Sequence, residues 1–254
     1  MPTRTPGWLN CHERDASRSK PQPATNPADA ALRRGDTLWE NNIYFERAIA
    51  GFVDLLAHPT WSPAEVRSAF NDLEHERVAV HGYGALSFRA SLLAGIERFH
   101  GRHCTANETG RIHELTAAIL DARMELLPGV AETLTELASR HTLVLMRKGA
   151  LEEQTGKLRR SGLEPLFSHV EVVREKHRDA YLDLRSRHRH DAAVTWMIGN
   201  SPKSDINPAL AAGLHAVFVP HPNTWVLEHE AVATAPAGQH LLQLSSIRNL
   251  LQIF

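Results

Sequence analysis

Residues 194–219 read VTWMIGNSPKSDINPALAAGLHAVFV. Val194–Ile198 is a short apolar run, Ser204–Ala212 has helical spacing, and Ala216–Val219 is a second apolar run. A strand, a helix and a strand in so short a stretch form a crossover unit, which makes the strands parallel and lays the helix on the sheet. The alternation extends to both sides. Upstream lie a helix at Val130–Arg140, strand Thr142–Met146, a helix to Arg160 closed by Ser161-Gly162, strand His169–Val173 and helix Arg178–His188. Downstream, His240–Leu244 reads as a strand and Ser246–Gln252 as a helix. Short uninterrupted apolar runs suit strands buried on both faces. The expected class is α/β with a doubly wound parallel sheet, whose ligands bind beyond the carboxyl ends of the strands.

Between residues 41 and 123 the period is helical. Phe45, Ile49, Phe52 and Leu56 share one face, and His58-Pro59 ends that run. Ser62-Pro63-Ala64-Glu65 is a capping box with Pro at the first helical position, opening a helix to about residue 76. Ser87–His100 and Glu108–Arg123 are two further amphipathic stretches. The one candidate strand in this block is Arg77–Val80. The block therefore reads as a helical subdomain.

Composition bounds the function. Lys and Arg number 28 against 29 Asp and Glu, a net charge of −1, which removes the electrostatic case for nucleic acid or an anionic membrane as partner. No apolar run is long enough for a transmembrane helix. Cys11 and Cys104 suggest neither a disulfide framework nor a four-cysteine zinc site, and the 16 histidines show no paired metal-ligand spacing. Residues 1–35 hold five of the 14 prolines, and Leu9 and Leu32 are their only branched aliphatics. They bury too little to offset their ordering entropy, so a disordered or aberrant arm is expected there. With no apolar core for a secretory signal, the expected location is cytoplasmic.

Four segments fall after predicted strands or at the arm's end. They are Gly35-Asp36-Thr37-Leu38-Trp39, then Arg147-Lys148-Gly149-Ala150 with Gln154, Lys157-Leu158 and Ser161-Gly162-Leu163 behind it, then Val172-Val173-Arg174-Glu175-Lys176, and Gly199-Asn200-Ser201-Pro202-Lys203-Ser204-Asp205. In order and spacing they resemble the haloacid dehalogenase (HAD) superfamily of hydrolases, mostly phosphatases. The resemblance runs from residue 36 to the C-terminus. It implies a Rossmann-like core at 36–40 and 124–254 with an inserted helical cap at 41–123. It also implies Mg2+ as cofactor and a small phosphorylated molecule or other anion as partner.

In that family an aspartate at the first strand end attacks the substrate, and a second, two positions on, is the general acid/base. Carried over residue by residue, Lys176 takes the lysine position and Asp205 the metal-binding acid position, with Asn200 and Ser201 beside it on the substrate side. The first motif departs. Arg33 stands at the nucleophile position and Gly35 at the acid/base position, while Asp36 and Thr37 are retained. The second motif's Thr-Lys-Gly-Asp becomes Arg147-Lys148-Gly149-Ala150. Asp36, Arg147 and Lys176 are the catalytic candidates; Thr37, Lys148, Gly149, Asn200 and Ser201 are the substrate-binding candidates. A guanidinium stays protonated and is no nucleophile. A register with Asp36 as nucleophile offers no second carboxylate through Leu38. The reading is thus a phosphatase-type hydrolase impaired at its nucleophile, or a non-catalytic protein binding an anion or a protein partner. Residues 22–34 lack strand composition, so a sheet without a well-formed central strand is expected. The arm reads as either a real extension or the product of a shifted reading frame.

Overall fold

A computed structural model describes residues 37–121 and 125–254, and the main chain of residues 30–33. Arg34, Gly35 and Asp36 lie outside the described residues, as do residues 1–29 and 122–124.

Six parallel strands form one sheet in the order β5-β4-β1-β6-β7-β8. They are β1 Ala30–Arg33, β4 Leu143–Lys148, β5 His169–Val173, β6 Trp196–Gly199, β7 His215–Phe218 and β8 Leu241–Gln243. Side chains alternate across β4. Leu143 and Leu145 pack with Ile198 and Val217 beneath α5 (Val130–Ala138) and α6 (Leu151–Ser161). Val144 and Met146 pack with Met197 beneath α7 (Arg178–His188) and α8 (Asn207–Ala211). Both faces are covered, as a doubly wound sheet requires. The chain runs from β1 outward to β4 and β5, then returns to the other side of β1 for β6, so the order reverses at the sheet's centre.

The expected gap at that centre is not there. Ala30–Arg33 pairs with β4 through Ala30–Leu143 to Arg33–Met146, and with β6 through Ala30–Trp196 to Leu32–Ile198. The composition of residues 22–34 fails to reveal this strand because it is only four residues long. Strands on both sides supply its hydrogen-bonding partners, so pairing stands in for intrinsic strand propensity.

The helical block is α1 Asn42–Leu56, α2 Pro63–His81, α3 Ala85–His100 and α4 Ala106–Leu120. It has a core of its own around Phe52, Phe70, Leu92 and Ile112. Arg77–Val80 is helix rather than strand, because α2 continues to Gly82, whose N–H caps Val78 O. The capping box at Ser62 forms as read, and a second forms at Thr105 with Glu108. One element has no sequence signal: β2 (Trp39–Glu40) and β3 (Glu125–Leu126) pair antiparallel where the chain leaves the sheet for the helices and returns. The expected helix from Ser204 is instead a wide turn of i→i+5 type at Pro202–Ile206 followed by the five-residue α8. None of the described helices is long and apolar enough to cross a membrane.

Candidate functional site

The carboxyl ends of β1, β4 and β6 lie side by side, and the helical block sits over them. β1 ends at Arg33 in register with Met146. Thr37, just beyond, is buried and donates from Oγ1 to Asn200 Oδ1 at 3.2 Å. Asn200 Nδ2 in turn donates to Thr224 Oγ1 at 2.9 Å. Asn200 thus ties the segment after β1 to the segments after β6 and β7.

The wide turn after β6 fixes Asp205. Its Oδ2 accepts the Ser201 N–H at 3.0 Å and its Oδ1 accepts Lys176 Nζ at 3.2 Å, with neither side chain exposed. Gly199 is required by this approach: a Cβ there would come within 2.7 Å of the Asp205 Cβ and overlap its carboxylate. Lys176 and Asp205, 29 residues apart in sequence, are therefore brought into direct contact.

β4 delivers two cations to opposite faces, as neighbouring strand residues must be. Arg147 points into the core. Its guanidinium lies 4.7 Å from the Trp39 ring centroid, and Nη1 donates to Gln154 O at 3.1 Å. It does not line the cavity described below. Lys148 does. Its Nζ donates to Glu228 Oε1 at 2.6 Å, to Ser204 Oγ at 3.0 Å and to Tyr83 Oη at 3.1 Å, which engages all three ammonium protons. Gly149 then turns the chain at φ +122°, where a Cβ would lie 2.7 Å from Gln154 Nε2.

Glu228 belongs to the candidate site, and the sequence reading misses it. It is buried, and its second oxygen accepts Ser201 Oγ at 2.6 Å. It lies in a short 3-10 turn, Val226–Glu228, just past the Pro220–Trp225 loop, where no periodic pattern marks it. A lone acid directly after Val226-Leu227 is the signal it offers.

Between the helices and the strand ends lies a cavity of about 140 Å³. Its walls come from α1, α2, α3 and the Gly82–Gly84 link on one side, and from Lys148, Gln154, Asn200, Trp225 and Glu228 on the other. Glu74 of α2 also lines it. Burial pushes the Glu74 carboxyl up to about 7, against the opposing pull of the Trp225 indole and of Arg67. Glu74 follows Val66, Phe70 and Leu73 on the buried stripe of α2, a placement that sequence periodicity could have flagged.

Residues 172–243, which carry Lys176 and Asp205, match the family model described as HAD-hydrolase-like. The chain carries a HAD-like hydrolase domain. A haloacid dehalogenase-like family hydrolase from Xanthomonas campestris is 26% identical with a TM-score of 0.75, covering 96% of this chain and 93% of its own. A magnesium-bound protein from Bacillus subtilis described as a HAD hydrolase is 14% identical with a TM-score of 0.60, covering 90% of this chain and 99% of its own. A predicted phosphoglycolate phosphatase from Haemophilus somnus is 16% identical with a TM-score of 0.59, over 90% of this chain and 98% of its own. The last two share the fold, as do several dehalogenases. No curated protein matches. Dehalogenases and phosphatases on one fold mean that the HAD-like domain alone does not select the reaction.

HAD relationship implies Mg2+, and the residues can be tested for it. Among the described residues no three of His, Cys, Asp or Glu converge on a point that could hold a metal ion. Both Asp205 oxygens are engaged, one by an ammonium and one by an N–H. The described donor set does not fit Mg2+.

Proposed function

We propose that this HAD-like domain is of the phosphatase type, shaped for a small phosphorylated molecule, and impaired in the covalent step. The observation that carries this reading is the end of β1. The central strand finishes on Arg33, the position at which the family resemblance places the attacking aspartate. Arg33 cannot attack, and Gly35, two positions on, cannot move a proton. With Asp205 held by Lys176 and the Ser201 N–H, the acid assigned to the metal serves here to anchor a cation.

The test is hydrolysis of p-nitrophenyl phosphate with and without Mg2+. The expected result is turnover at background, unaltered by Asp205→Ala, and raised by the double change Arg33→Asp, Gly35→Asp. Mg2+-dependent turnover of the natural chain that Asp205→Ala abolishes would overturn the impaired reading. A second reading, a non-catalytic anion binder, is favoured by the cations gathered at the strand ends, Lys148 and Lys176. Calorimetric binding of inorganic phosphate without metal, and without turnover of the ester, selects it.

A further inference from the structure

We propose that the cavity between cap and core binds a protonated organic amine. Among the described residues, two buried side-chain atoms of the lining have no hydrogen-bond partner, Glu74 Oε2 and Gln154 Oε1. Both are acceptors once Glu74 is ionised, as it is at pH 8, and their residues are 5% and 1% exposed. A buried acceptor without a donor carries its full desolvation penalty, so the complementary ligand brings donors.

Charge narrows the choice. Glu153 is paired with Lys157 at 2.5 Å, Glu228 with Lys148 at 2.6 Å, and Glu46, beside the cavity, with Arg67 at 2.6 Å. Glu74 has no cation at hydrogen-bonding distance among the described residues. A cationic donor therefore suits it better than a neutral hydroxyl.

The rest of the wall suits the carbon stem and the charge together. Phe45 and Phe88 meet edge to face with centroids 4.8 Å apart, and Trp225 meets Tyr83, whose own ring already faces Lys148 Nζ at 4.3 Å, edge to face at 6.0 Å. Such rings present negative faces, which attract ammonium groups. A cavity of about 140 Å³ takes a ligand of roughly benzene size, for which about 150 Å³ is known to suffice. Lys176 and Asp205 do not line this cavity, whereas the substrate-side candidates Lys148 and Asn200 do, so the amine is expected on the Glu74 and Gln154 side of the same cavity.

The test is titration calorimetry of the full chain with butylammonium chloride at pH 8, beside 1-butanol as the uncharged isostere. The expected result is saturable binding of butylammonium, at least about tenfold weaker binding of butanol, and at least about tenfold loss of butylammonium affinity in Glu74→Gln. Gln154→Met is expected to weaken binding as well, and it serves alone if Glu74→Gln does not fold. Absence of saturable binding overturns the proposal, as does equal binding of butanol. So does unchanged affinity in whichever variant folds. Inorganic phosphate is expected not to displace the amine, which keeps this result distinct from the outcome of the ester assay.

Discussion

A carboxyl group moved from water into the space between two packed layers holds its proton longer, because the charged form loses hydration that the new surroundings do not replace. Glu74 is in that position, and burial carries it from 4.5 to about 7. Arg67 and the Trp225 indole act against the rise, and the neighbouring Glu46 adds to it. The folded chain thus binds this proton more tightly than the unfolded chain does. The resulting stabilisation is complete below about pH 4.5 and is lost as pH rises through about 7. A difference of this size corresponds to on the order of 3 kcal/mol. Glu74→Gln, which cannot ionise, is expected to gain on the natural chain between pH 5 and pH 8 and to be the more stable of the two at pH 8. Urea unfolding at the two pH values measures this, and a pH-independent difference would refute it. At this scale legibility is uneven. Lys176 and Asp205 stand in sequence patterns that place both at strand ends, and they meet. Glu228 sits in irregular chain, where no period makes a charge conspicuous. Glu74 was hidden by a helix that looks like an ordinary amphipathic one until its buried stripe is followed to the end.

The elements that converge on the site do so because parallel strands present all their carboxyl ends on one side. The wide turn after β6 then sets the Asp205 carboxylate against Lys176, with neither side chain exposed. Removing one member of a buried pair strands the other. Lys176→Met is expected to destabilise the chain by about 3–5 kcal/mol, whereas Lys176→Met with Asp205→Leu recovers most of that loss. Chemical denaturation of the three proteins decides this, and strictly additive losses would show that the pair is not coupled. β5 and α7 are legible from their sequence almost residue for residue, since a short apolar run followed by a charge-marked helix has few other readings. β1 and the β2–β3 ribbon were not legible. Four residues, or two, are too few to carry a period, and their structure comes from neighbours far along the chain.

The whole molecule has separate apolar interiors, one inside the helical cap and others on the two faces of the sheet. Phe52 is central to the first. It is unexposed, lies 5.1 Å from the Phe70 ring centroid, and rests against Gly95 where α1 and α3 approach closely. Phe52→Ala is expected to lower stability by about 3–5 kcal/mol through the cavity it leaves. If the interiors are energetically separate, hydrogen exchange will show the loss in α1 to α4 and leave β4 and β6 protected. Equal loss of protection in the sheet would mean that cap and core unfold as one unit.

The β2–β3 ribbon carries a consequence for how such a chain can change over generations. Glu40 and Glu125 lie opposite one another in an antiparallel pair, a separation of about 4.5–5.5 Å. A gap of that width is closed by a two-residue turn. Seen from the sheet, everything between those two residues is the loop of a hairpin. That stretch can be lengthened, exchanged for another fold or deleted without moving the register of any of the six strands, so the part that shapes the cavity is free to diverge while the scaffold beneath it stays still.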